Sequence, residues 1–191
     1  MQVRHLIVGA LLFSCTGHVN AQSLTLRVDN IDQIVDSMTL EEKVNLLVGR
    51  NDYLFGGYEK LDKAPRVMDP SISGFTQVIP RLGIPATGLA DGPAGAVVVT
   101  RPDNKKNYYA TGFPIGSLLA CSWNTGLVET IGQAIGNEIL EYGVDVVLAP
   151  GMNIHRSPLC GRNYEYFSED PVLTGKIAAA YIRGVQSNGV G

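Results

Sequence analysis

An α/β protein with a parallel sheet is what this 191-residue sequence predicts, and three observations carry that reading. From residue 83 onward, short apolar runs of strand length alternate with longer segments of helical periodicity, the grammar of βαβ units. The run Val144 to Ala149 is almost wholly apolar, as expected of a parallel strand covered on both faces. Polar, Gly/Pro-rich stretches follow the strands, the end at which such sheets hold their binding loops. Composition fits a globular core: 45% of residues are hydrophobic and 17% are charged, with 15 Lys+Arg against 18 Asp+Glu. So balanced a charge excludes a polybasic nucleic-acid surface and a highly charged disordered chain.

The first 21 residues read as an export signal and not as part of the fold. Arg4 supplies a positive charge, Leu6 to Phe13 is an apolar run broken by Gly9, and Val19-Asn20-Ala21 suits a cleavage site. That run is far shorter than the roughly 20 residues of a spanning helix, so no membrane span is expected. The expectation is an exported protein, periplasmic or secreted, with a folded unit over residues 22–191. Leu12-Phe13-Ser14-Cys15 is a weak lipoprotein-like alternative, spoiled by the bulky Phe13. Beyond the signal only Cys121 and Cys160 remain, and no C-x-x-C or H-E-x-x-H spacing occurs. No metal and no cofactor is therefore expected, and the two thiols read as buried small hydrophobes rather than as one disulfide.

Thr39-Leu40-Glu41-Glu42 is a capping box, followed by Leu40, Val44, Leu47 and Val48 at helical spacing and stopped by Gly49. Residues 50–80 read as loop. Ile84 to Ala90 is a short buried strand ending in the turn Asp91-Gly92-Pro93-Ala94-Gly95. After a polar excursion at 101–107, the apolar run Ile115 to Cys121 reads as the second strand. Asn124 then caps a helix with Leu127, Val128, Ile131, Ala134, Ile135, Ile139 and Tyr142 on one face, ended by Gly143. Val144 to Ala149 is the third strand, and a polar loop runs from Pro150 to Phe167. Ser168-Glu169-Asp170-Pro171 opens a last helix with Ile177, Ala180, Tyr181 and Val185 inward, closing at Asn188-Gly189.

The chemistry-bearing residues sit in two loops after strands: Asp91, alone in a stiff turn, and Arg156, Arg162, Asn163, Tyr164 and Glu165 within a dozen residues. Four segments then resemble successive signatures of family 3 glycoside hydrolases, the β-glucosidase family. They are Met38 to Val44, Leu89 to Gly95, Thr111-Gly112-Phe113-Pro114, and Gly161-Arg162-Asn163-Tyr164-Glu165-Tyr166-Phe167-Ser168-Glu169-Asp170-Pro171.

That resemblance implies a TIM-type (β/α)8 barrel followed by a second α/β domain, working as a retaining exo-glycosidase on an oligosaccharide or β-glucoside. A complete barrel needs about 250 residues, so this chain is expected to be an incomplete N-terminal portion of one. By resemblance, Asp91 accepts hydrogen bonds from sugar hydroxyls, and Arg162 also contacts the sugar. The alternatives are a plain turn aspartate, and an ion pair of Arg162 with Glu165 or Glu169. His155 reads as a packed or surface side chain, Glu169 and Asp170 as first-turn helix residues, and Tyr164, Tyr166, Phe167 and Trp123 as core before sugar platforms. The family's nucleophile aspartate and its acid/base match no position here, so no catalytic residue is expected and the chain by itself is expected to be inactive. The competing expectation is a non-catalytic truncated remnant with weak or no carbohydrate binding.

Overall fold

A computed structural model describes residues 24–49, 73–98 and 108–191. The expected export signal, most of the 50–80 loop and the 101–107 excursion lie outside the described residues. The elements are α1 (Ile31–Ser37), α2 (Leu40–Val48), β1 (Gly74–Phe75), β2 (Gly88–Asp91), α3 (Gly116–Cys121), α4 (Thr125–Glu141), β3 (Val146–Leu148) and α5 (Pro171–Gln186). The three strands form one sheet in the order β1-β2-β3. β2 and β3 run parallel, with Leu89 opposite Val146 and Asp91 opposite Leu148, as the βαβ pattern predicts. Gly191 lies on the other side of β3, its N–H donating to the Asp145 carbonyl at 2.9 Å and its carbonyl accepting from Val147 at 3.0 Å. This is the bond pattern of a further parallel neighbour.

Two elements differ from the sequence reading. The run Ile115 to Cys121 is not a strand: it forms the helix α3, because it has helical period and lacks β-branched residues after Ile115. Gly116, Leu119 and Ala120 are buried while Leu118 is exposed, the i, i+3, i+4 pattern of one helix face. Within the expected 50–80 loop, Gly74–Phe75 forms β1, antiparallel to β2.

The main core lies between the sheet and α4–α5. Ala90 and Val147 from β2 and β3 meet Val128, Ile135 and Ile139 of α4 and Ile177, Ala180, Tyr181 and Val185 of α5. The two helices touch backbone to backbone. A Cβ on Gly184 would stand 2.2 Å from the Glu129 carbonyl oxygen, and one on Gly132 would stand 2.5 Å from that of Tyr181. Only hydrogen at these positions permits the approach. The caps follow the sequence closely: Asn124 accepts from Leu127 N–H at 3.0 Å, and Asp170 accepts from Val172 N–H at 2.8 Å with Pro171 in the first turn. Asp170 is thus the cap itself and not a first-turn residue.

A smaller core joins α1 to the Pro80–Leu82 turn through Ile34, Met38, Ile79 and Leu82. The predicted capping box of α2 is present, with Thr39 N–H donating to Glu42 at 2.8 Å and Glu42 N–H to the Thr39 hydroxyl at 3.2 Å. Leu40, Val44, Leu47 and Val48 are nonetheless exposed. The face turned to the protein is that of Glu42 and the half-buried Leu46, because Arg81 takes both oxygens of Glu42, with Nε at 2.7 Å, and also donates to the Ser37 carbonyl at 2.9 Å. No helix among the described residues is long and apolar enough to cross a membrane.

Two outcomes test this fold. Gly184→Ala should lower the unfolding free energy by about 1–3 kcal/mol in denaturant titration, since the methyl meets backbone. Gly175→Ala, on the same helix with nothing near its added methyl, should be neutral or stabilising by up to about 1 kcal/mol. The Arg81 hydrogen bond, then that of Thr39 N–H, lowers the Glu42 carboxyl from 4.5 to about 2. A carboxyl depressed in the folded state stabilises above its unfolded value and loses that contribution as pH falls through its folded value. The melting temperature of the natural chain should therefore exceed that of Glu42→Gln at pH 6, with the gap closing between about pH 4.5 and 2.

Candidate carbohydrate site

Asp91 is the last residue of β2, exposed at the carboxyl end of the sheet. Its N–H donates to the Ser73 hydroxyl at 2.9 Å and its carbonyl accepts from Val97 N–H at 2.8 Å, so its backbone is held while its carboxylate faces solvent. The turn after it is tightly folded. Gly95 has φ +116°, and a Cβ there would lie 2.1 Å from the Thr111 carbonyl oxygen. Phe113 N–H donates to the Ala94 carbonyl at 2.9 Å, and Thr111 is tied to α4 by its N–H and hydroxyl on the Glu138 carboxylate at 3.0 and 3.1 Å. From beneath, the buried Tyr181 hydroxyl lies 3.3 Å from the Gly92 carbonyl and 3.4 Å from that of Pro93. Burial pushes the Tyr181 phenol well above its usual range, so it remains a donor at every working pH.

Arg162 stands in the loop after β3, immediately before the 3-10 turn Asn163–Glu165. Asn163 Nδ2 donates to the Ser157 carbonyl at 2.8 Å, and the Ser117 hydroxyl of α3 donates to the Tyr164 carbonyl at 3.1 Å. Gly116 abuts the same turn: its missing Cβ would lie 2.3 Å from the Glu165 carbonyl oxygen. Arg162 Nε donates to Glu165 Oε1, and its guanidinium carbon lies 5.9 Å from the centre of the Tyr166 ring. The Glu165 hydrogen bond first, then the charges of Glu165 and Tyr166, raise the Arg162 guanidinium above its ordinary value. Of the two partners considered from sequence, Glu165 and not Glu169 pairs with it.

The two loops face one cavity of about 340 Å³. Its wall is Gly92 to Val97, Ala110 to Gly112, Ile115 and Gly116, and Tyr164 and Glu165; Asp91 and Arg162 flank these segments in sequence and are not themselves part of the wall. The structure thus brings the Asp91 turn and the Arg162 turn together, as the loop positions in the sequence suggested.

The other expectations divide. Tyr166 and Phe167 are core, whereas Tyr164 and Trp123 are exposed. His155 packs beside Tyr166, ring centres 6.3 Å apart, and its buried Nε2 has no hydrogen-bond partner among the described residues. Arg156 is exposed. Cys121 and Cys160 are free thiols but, against expectation, exposed: the first ends α3 opposite its buried face, and the second sits in the long surface loop. No three His, Cys, Asp or Glu residues among the described residues are grouped to hold a metal ion. The sequence reading missed Tyr181, Glu138 and Gly116 as supports of the loops. Only Tyr181 carried a usable signal, a phenol on an otherwise aliphatic face.

The sequence description of the Glycosyl hydrolase family 3 N terminal domain matches residues 71–191. The chain belongs to glycosyl hydrolase family 3. It is 42% identical over 166 residues to thermostable beta-glucosidase B of Acetivibrio thermocellus, covering 85% of this chain and 19% of that protein. It is 41% identical over 160 residues to beta-glucosidase B of Emericella nidulans, covering 84% and 16%. Among solved structures, beta-glucosidase 3B from Thermotoga neapolitana in complex with glucose superposes with a TM-score of 0.71 at 51% identity, over 84% of this chain and 22% of that one. The chain therefore spans about a fifth of the length of these relatives. As a family 3 chain it has the fold the sequence predicted, an α/β portion of a TIM-type barrel, with β2 and β3 as neighbouring parallel strands. In that fold the carboxyl ends of the strands form the active face, which is where Asp91 and Arg162 stand.

Removing the Tyr181 hydroxyl tests the support beneath this face. Tyr181→Phe should cost about 1 kcal/mol of stability in chemical denaturation. In the amide spectrum its shifts should be largest at Gly92, Ala94 and Gly95, not along β3.

Proposed function

We propose that this chain recognises the terminal sugar of a β-glucoside or oligosaccharide and serves hydrolysis of the glycosidic bond by a retaining mechanism. The observation that carries this reading is that the loop following the exposed Asp91 carboxylate and the loop holding the exposed Arg162 guanidinium wall one cavity beyond the carboxyl ends of parallel strands, with Gly92 and Glu165 among its lining. A carboxylate accepts from two adjacent hydroxyls, and the planar guanidinium donates to paired oxygens, so together they read both faces of sugar hydroxyl chemistry. The names of the relatives, beta-glucosidases, support the same class.

Retention needs a nucleophile and an acid/base about 5 Å apart across the scissile bond. In this reading neither Asp91 nor Arg162 fills those roles, and the 191-residue chain binds without turnover. The N-terminal pattern of residues 1–21 supports action outside the cytoplasm.

Titration of the chain with methyl β-D-glucoside, followed by saturation-transfer NMR, tests the reading. The natural chain should bind, Asp91→Ala should weaken binding at least tenfold, and Arg162→Ala should do so by a similar factor, each losing a charge-assisted contact of about 1.5–3 kcal/mol. Equal signals from all three proteins would refute the assignment, and release of aryl alcohol from an aryl β-glucoside by the chain alone would refute its lack of turnover.

A further inference from the structure

We propose that Glu165 is a positioning residue that fixes the Arg162 guanidinium for sugar binding; this rests on the reading of Arg162 as a sugar contact. The two partners of this ion pair are unequal. The Glu165 side chain is only 11% exposed, while that of Arg162 is 72% exposed. The carboxylate is therefore the anchor and the guanidinium is the part that would otherwise move.

Glu165 is itself held from three sides. Its N–H donates to the Arg162 carbonyl at 3.2 Å, its carbonyl rests against Gly116, and the preceding carbonyl takes the Ser117 hydroxyl at 3.1 Å. It engages Arg162 through Nε, the nitrogen nearest the stem. The two terminal nitrogens make no hydrogen bond among the described residues, so the donor fork that suits paired hydroxyls stays unused. The Tyr166 ring, itself buried, limits swing on another side at 5.9 Å.

An arginine free to sample its rotamers loses that freedom on binding, whereas one already restrained does not. With its guanidinium largely in solvent, the pair is screened on that side and contributes little to folding. Its contribution is expected in affinity, through a terminal fork already aimed when the sugar arrives.

The experiment compares Glu165→Met, which keeps the length of the side chain without its acceptor, and Glu165→Gln, which keeps shape and an acceptor. Affinity for methyl β-D-glucoside and the Arg162 Nε–Hε resonance are read in the whole 191-residue chain. Glu165→Met should bind about fivefold more weakly, the scale of a single exposed pair, with the Nε–Hε signal moved to the position of a free arginine. Glu165→Gln should recover part of both effects. Natural affinity in Glu165→Met, or an Nε–Hε signal unchanged by it, overturns the positioning role while leaving the sugar reading in place. A natural chain that binds no glucoside overturns the sugar reading, and the positioning role with it. If Glu165→Met does not fold, Glu165→Gln decides: a displaced Nε–Hε signal with weakened binding supports the role, and natural values of both overturn it.

Discussion

The seat of α5 on α4 governs the placement of the Asp91 turn at the candidate site. Gly132 and Gly184 let the two backbones approach to distances that any Cβ would forbid. At that separation Tyr181 passes under the sheet's carboxyl edge and its hydroxyl reaches the Gly92 and Pro93 carbonyls. A wider gap between the helices would draw the phenol back, take the Tyr181 hydroxyl from the Pro93 carbonyl and leave the Gly92 carbonyl with its bond from Gly95 N–H. The same seat lets Arg183 reach Glu129 across the helix pair at 3.0 Å. A backbone packing constraint is thus transmitted through one rigid ring to the turn that follows the Asp91 carboxylate.

Charge is used in two contrasting ways in this chain. At α2, Glu42 gives both oxygens to Arg81 and one also to Thr39 N–H, so its charge is committed to holding the helix in place. At the carboxyl edge of the sheet, backbone hydrogen bonds and glycine contacts hold the loops instead. Asp91 is fixed through its N–H and carbonyl, the Arg162 turn through Ser117 and Asn163. Support by main chain leaves the Asp91 carboxylate and the ends of the Arg162 guanidinium open. For Arg162 this holds even though its Nε is paired with Glu165, because that pair engages the nitrogen nearest the stem and leaves the terminal donors open among the described residues.

Local signals were legible in the sequence. The caps at Thr39 and Asn124, the start of α5 near Asp170 though not its exact cap, the inward face of α5, the parallel strands and the loop positions of Asp91 and Arg162 all follow from neighbours within a few residues. What the sequence hid depends on partners far along the chain or on segments too short for a period to show. β1 has two residues and gains its identity only from β2. The six residues of α3 form a short apolar run that suits strand or helix equally until Leu118 is seen outside and Leu119 inside. On α2 the apolar stripe pointed one way and the ion pair with Arg81 the other, and the ion pair with Leu46 prevailed. Exposure of Cys121 and Cys160 was equally invisible, because a small thiol suits either side of a helix end or loop.

The proposed separation of recognition from chemistry accords with how such a barrel face is assembled. Each strand ends in its own loop, so Asp91 at the end of β2 and Arg162 in the loop after β3 each bring one charged group to the carboxyl side of the sheet. Two charge-assisted contacts at about 1.5–3 kcal/mol each must offset the loss of translational and rotational freedom on association. What remains, at most about 2 kcal/mol, corresponds to affinity no better than roughly tens of millimolar. At that strength the aim of each donor matters more than its number. A guanidinium already held by Glu165 and flanked by Tyr166 keeps a larger share of its contact energy than one that must first be ordered. In the proposed reading, preorganisation at a single arginine would be a first-order term in how this edge of the barrel selects a sugar.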